Sequence, residues 1–153
     1  MLAGAAAGAA GTTALNAVGY ADMVVRGRAA SHAPEQTIET LADQVHLPLP
    51  GHGDVREHRL AGLGALSGIA TGVGIGALVG ALHGSGARPP GVFGAALTGA
   101  AAMAATDGTM AVLKVTDPRR WSFGSWMSDV LPHLAYGAVT YAVLAVLDRR
   151  PSG

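Results

Sequence analysis

A single carboxylate stands out by its surroundings. Asp107 interrupts the apolar run Val92–Val115. An acid at the centre of a membrane-inserted helix costs about 2.5–3.5 kcal/mol on insertion scales, so it normally faces protein or water and has a partner. Such a carboxyl either binds a proton or ligand, or acts as interhelical glue between helices one and three. Asn16 and Ser67 are its candidate partners, and Lys114 follows on the same helical face, seven residues on and nearer the surface. Asp129 and His133 stand one helical turn apart and face the same way. They can supply two metal ligands, a carboxylate-oriented histidine for proton transfer, or a plain ion pair at a membrane surface. Two ligands do not complete a metal centre. A third would have to come from Asp22, Asp107 or a loop histidine (His32, His46, His52, His58), and those histidines lack zinc-like spacing. No metal and no cofactor is therefore assigned, with Asp129 and His133 kept as weak metal candidates. Asp22 and Arg26, again one turn apart, read as a surface pair.

The elements that must position these groups are four apolar segments, at about 2–25, 60–82, 92–115 and 130–147. A membrane span needs about 20 residues, with a range of 17–25. The first segment is too long for a signal peptide's apolar region and lacks its basic start. Charged residues are 13% of the chain and mean hydropathy is +0.36, against about 25% charge in soluble domains. The expected fold is a single all-α domain, a four-helix transmembrane bundle, with a soluble helical bundle as the alternative. Counted from one end of each helix, Asn16, Ser67, Asp107 and Tyr136 lie at similar depth, roughly 9–14 Å in. With the shallower His133 they form the expected polar intramembrane cluster, while the opposite half reads as dry.

The second segment carries a glycine at every fourth position: Gly64, Gly68, Gly72, Gly76, Gly80 and Gly84. In water each would cost about 0.8–1 kcal/mol of helix stability. In lipid the backbone has no other hydrogen-bond partner, so the helix survives and the glycines form a packing seam. This glycine zipper is expected against helix one, helix three or a neighbouring subunit.

Two long connectors lie on one side of the four segments. The first carries an acidic amphipathic helix, Pro34–Val45, with Ile38, Leu41 and Val45 on one face and Glu35, Glu39 and Asp43 on the other. It lacks the basic polar face of a lipid-surface helix, so it is expected to pack on its own bundle or on a partner. The second, Asp117–Trp126, is an interfacial aromatic segment, and Ser125 or Ser128 could cap the last helix, leaving Pro132 in its first turns. Seven of the ten Lys and Arg side chains fall on the connector side, which the positive-inside rule makes cytoplasmic; Arg88, Arg149 and Arg150 fall on the other.

There is no cysteine, which excludes disulfides and thiolate chemistry. Net charge is zero, which leaves no nucleic-acid footprint. Phosphate-loop, zinc-protease and serine-hydrolase motifs are missing. The run Trp121-Ser-Phe-Gly-Ser-Trp126-Met-Ser-Asp129-Val-Leu-Pro132-His133-Leu-Ala-Tyr136-Gly137, with Thr13–Met23, Arg26-Gly-Arg28 and Pro34-Glu-Gln-Thr37, resembles a family of small multi-pass membrane proteins of high-GC bacteria. The Trp–acid–His–aromatic order is more distantly similar to the YagU-like (DUF1440) inner-membrane proteins, although the chain lacks their longer loops. The resemblance implies an integral membrane protein and no reaction. The function expected from the sequence is that of a structural or accessory membrane protein, a homo-oligomer or a small subunit of a larger membrane complex, with the lipid bilayer as surroundings. One alternative is a small transporter or channel component using Asp107. The other is a membrane enzyme or metal site built on Asp129, His133 and Asp107.

Overall fold

The computed structural model describes residues 1–148. They form five α-helices: α1 (Leu2–Arg26), α2 (Ala33–Gln44), α3 (Asp54–Gly84), α4 (Gly91–Val112) and α5 (Phe123–Asp148), with a 3₁₀ turn at Pro118–Arg120 and no strand among the described residues. Helix α5 packs between α1 and α4, α1 packs in addition on α3, and α3 touches α4 only lightly. The short α2 lies on α3.

Glycine decides these contacts. Gly4 and Gly8 of α1 run antiparallel against Gly72, Gly76 and Gly80 of α3, and a Cβ added at Gly76 would sit 2.6 Å from the Gly8 nitrogen. No side chain fits there; the two backbones touch. The α4·α5 contact is built alike, since a Cβ at Gly137 would lie 2.6 Å from the Gly99 nitrogen. Gly11 lies under Tyr136 and Thr140, where its Cβ would meet the Tyr136 ring at 2.9 Å. The six-rung glycine row of α3 does not face one partner. Each four-residue step turns it by about 40° on an ideal helix, so its ends point about 200° apart. Gly72, Gly76 and Gly80 meet α1 or its side chains, Gly64 meets Pro34 of α2 at 3.1 Å, and Gly68 and Gly84 have open space beside them.

With small residues inside, large apolar ones point out. Leu78 is 63% exposed and Val92 88%, while the largest fully buried side chains are Tyr136, Leu144 and Thr140. Helices α3 and α5 are long and apolar enough to cross a membrane, and only 11% of the apolar stretch of α3 is buried inside the protein. Helices α1 and α4, rich in alanine and glycine, fall below that hydropathy.

Several helix ends differ from the sequence expectation. Helix α3 begins at Asp54, six residues before Leu60, where Asp54 and Glu57 complement the positive end of the helix dipole. Helix α4 stops at Val112, and the Lys114 and Val115 N–H groups return to the Ala111 and Met110 carbonyls, closing a Schellman turn. Lys114 stands outside the helix at φ 59° and is exposed, so it does not share a helical face with Asp107. Helix α5 starts at Phe123, because the Ser122 hydroxyl accepts the Ser125 N–H at 3.1 Å; neither Ser125 nor Ser128 is the cap. Pro132 therefore sits in the helix interior instead of its first turns. Much of the aromatic segment is thus the first turn of α5, with Trp121 and Trp126 edge to face at 5.0 Å. The acidic helix α2 forms as expected and is tied to α3 by Glu39 and Arg56 at 2.6 Å. Arg149 and Arg150, counted above for orientation, lie outside the described residues.

The split of the glycine row is testable with one substitution at two rungs. Gly76→Ala drives a methyl into the α1 backbone and should cost about 1–3 kcal/mol of stability, as overpacking does. Gly68→Ala meets nothing and should be neutral or stabilising by up to about 1 kcal/mol. Thermal unfolding of the two variants in detergent should move in opposite directions or differ by that margin.

Candidate functional site

Antiparallel packing of α4 on α5 brings the last turns of α4 to the first turns of α5. There Asp107 lies close to Asp129 and His133. Asp129 Oδ2 is buried and has no hydrogen-bond partner. Two carboxylates held close repel when both are ionised, which favours a proton on one of them. His133, one turn along α5 and buried, adjoins the pair. Its Nδ1 lies 2.9 Å from the Asp129 carbonyl and 3.3 Å from the Asp129 Oδ1. Nδ1 thus faces only acceptors and carries a hydrogen. Its Nε2 lies 3.4 Å from the Thr106 Oγ1.

Thr106 can serve either state of that ring. Its hydroxyl is 3.1 Å from the Ala102 carbonyl and 3.1 Å from the Met103 carbonyl. Donating to one of these, it accepts from a protonated Nε2; donating to Nε2, it serves the neutral ring. The group Asp107–Asp129–His133–Thr106 therefore has the parts to bind, relay and release a proton. Among the described residues no three His, Asp or Glu side chains converge to hold a metal ion. Asp129 and His133 instead engage each other.

The five residues expected to cluster do not all meet. Asp107 and His133 lie near each other without a hydrogen bond between them. The Tyr136 hydroxyl instead crosses to α3 and donates to the Gly72 carbonyl at 2.6 Å. Ser67 donates to the Gly64 carbonyl of its own helix at 2.7 Å, and Asn16 is exposed with no side-chain hydrogen bond among the described residues. Equal counts along the helices do not make contact, which also requires that the residues face the same way around their helices.

Asp22 is more than a surface pair. It takes the Arg28 Nε at 2.5 Å and the Ser128 hydroxyl of α5 at 2.9 Å, and Arg26 donates to Ser128 at 2.7 Å and to the Gly124 carbonyl at 3.1 Å. This network locks the end of α1 to the start of α5.

A second polar group lies at the opposite end, in the half expected to be dry. His83 is buried, with Nδ1 3.3 Å from the Asp148 Oδ2 and its ring edge-on to Tyr141 at 4.9 Å. The Tyr141 hydroxyl donates to the Pro89 carbonyl, and the Arg88 Nε to the His83 carbonyl at 3.1 Å. The signal was present in the sequence: His83 and Asp148 each stand one residue beyond an apolar segment, at the same end.

Comparison with protein-family models, with curated proteins and with solved structures gives no match to this chain. Tyr136→Phe deletes the one side-chain hydrogen bond from α5 to the glycine row and should cost about 0.5–1.5 kcal/mol, read as a lower unfolding midpoint in detergent.

Proposed function

We propose that this chain is a multi-pass integral membrane protein, with α1, α3, α4 and α5 crossing the bilayer. In this reading it serves as a small proton-coupled transporter or channel component that uses Asp107. The observation that carries it is the Asp129–His133 pair with Asp107 close by, between helices whose large apolar side chains point outward. A core helix of a soluble protein hides its apolar stretch, whereas α3 leaves most of its own outside. At about 1.5 Å per residue even α4, the shortest of the four, is about 33 Å long, enough for a hydrocarbon core of about 30 Å. The loop-side half holds the exchangeable proton. The close α1·α3 backbone contact beyond it leaves no open path through one chain, so proton exchange occurs with the connector side. Transfer across requires movement of α5 or a path between copies.

Two measurements test this. The chain should remain in the membrane on alkaline carbonate extraction. In proteoliposomes Asp107→Asn, which keeps the hydrogen bond and removes the titration, should reduce pH-driven proton uptake to background. Unchanged uptake in that variant would remove the proton-coupled reading.

The exposed surface of α3 favours a second reading. Gly68 and Gly84, with Leu66, Ile69, Leu78 and Leu82, are left exposed after α1 has taken the middle rungs. A structural or accessory role, as a homo-oligomer or a subunit of a larger complex, would use this remaining part of the glycine zipper. Native mass spectrometry from mild detergent should then show a defined assembly; a bare monomer with no companion would exclude it.

A further inference from the structure

The cations of this protein fall into two groups. Arg26 and Arg28 hold Asp22 and its network, Arg56 holds Glu39, Arg59 donates to the Pro50 carbonyl, and Arg88 donates to the His83 carbonyl. Among the described residues, the side chains of Lys114, Arg119 and Arg120 alone of the Lys and Arg make no hydrogen bond or ion pair. All three belong to the connector between α4 and α5. Lys114 and Arg119 line one open cavity of about 710 Å³, together with Val115, Thr116, Asp117 and Pro118. That volume lies within the usual 300–1,000 Å³ of ligand clefts.

We propose that this connector binds the phosphate of an anionic lipid headgroup between Lys114 and Arg119. Asp117, the one acid in the lining, is set against two cations there, and its carboxylate accepts the Arg119 backbone N–H at 3.1 Å and so fixes the turn. Thr116, whose Oγ1 has no partner, stands on the same wall. The edge-to-face pair Trp121 and Trp126 follows directly, and such paired indoles belong at the headgroup level of a bilayer, where lipid phosphates lie. Lys114 is exposed and held in a left-handed conformation (φ 59°) that costs a non-glycine residue about 1–2 kcal/mol. Helix α3 closes the same kind of turn with Gly86. The connector thus presents an unpaired basic pair at the depth of lipid phosphates. This inference rests on the membrane reading above but not on the proton site.

The experiment uses the full chain in detergent, titrated with phosphatidylglycerol, phosphatidylcholine or inorganic phosphate and read by native mass spectrometry. Phosphatidylglycerol should be retained in preference to phosphatidylcholine. Lys114→Gln with Arg119→Gln should weaken that retention about fivefold per side chain, the usual effect of one Lys or Arg at an anionic surface. The charge-preserving pair Lys114→Arg with Arg119→Lys should keep it, and Arg56→Gln should leave it unchanged. Equal retention of the two lipids, or selectivity surviving in the double glutamine variant, overturns the proposal. Displacement of phosphatidylglycerol by equimolar inorganic phosphate makes free phosphate the ligand and overturns the lipid assignment. Release of the chain by carbonate refutes the membrane reading itself; retention in the membrane without headgroup preference refutes only this site.

Discussion

The structure depends on direct contact between helix backbones. Where Gly8 meets Gly76, and where Gly99 meets Gly137, no atom beyond Cα separates one helix from the next. Close approach maximises dispersion contact along the whole seam and fixes rotation as well as distance, because any Cβ in the seam collides with backbone. It also leaves little room for a conventional core. Hence the fully buried side chains are few, and most of them, Tyr136, Thr140 and Leu144, belong to α5.

That economy places the polar groups. Helix α5 sits between α1 and α4, so every side chain it turns inward must fit a gap between glycines or find a polar partner. Tyr136 does both, over Gly11 and Gly72 with its hydroxyl on the Gly72 carbonyl. Polar pairs lie toward the two ends: Asp129 with His133, and Asp107 close by, at one end, His83 with Asp148 at the other.

Some expectations were readable and others were not, for particular reasons. The acidic helix α2 was legible from a four-residue repeat of apolar and acidic positions, which is a local property. The starts of α3 and α5 were not, since Asp54–Arg59 and Phe123–Asp129 are polar or mixed and only their caps and tertiary contacts reveal them as helix. Depth along each helix follows from counting residues, which sets Asp107 level with Asn16, Ser67 and Tyr136 and leaves His133 shallower. Rotation about each helix does not follow from counting, so Asn16 and Ser67 were placed beside Asp107 when they face elsewhere.

From the sequence alone came the all-helical class, the four apolar elements, the acidic and aromatic connectors and the identity of Asp107 as the residue in need of a partner. These depend on composition and on periodicity within one segment. Only the tertiary structure decided which rungs of the Gly64–Gly84 row meet α1, which meets α2 and which stay bare. It also decided that Asp129 engages His133, with Asp107 close by. The reason is geometric: a glycine row that winds about 40° per rung can be followed by a straight neighbour for only a few rungs. Where the neighbour leaves it is set by the crossing of α1, α3 and α5 together.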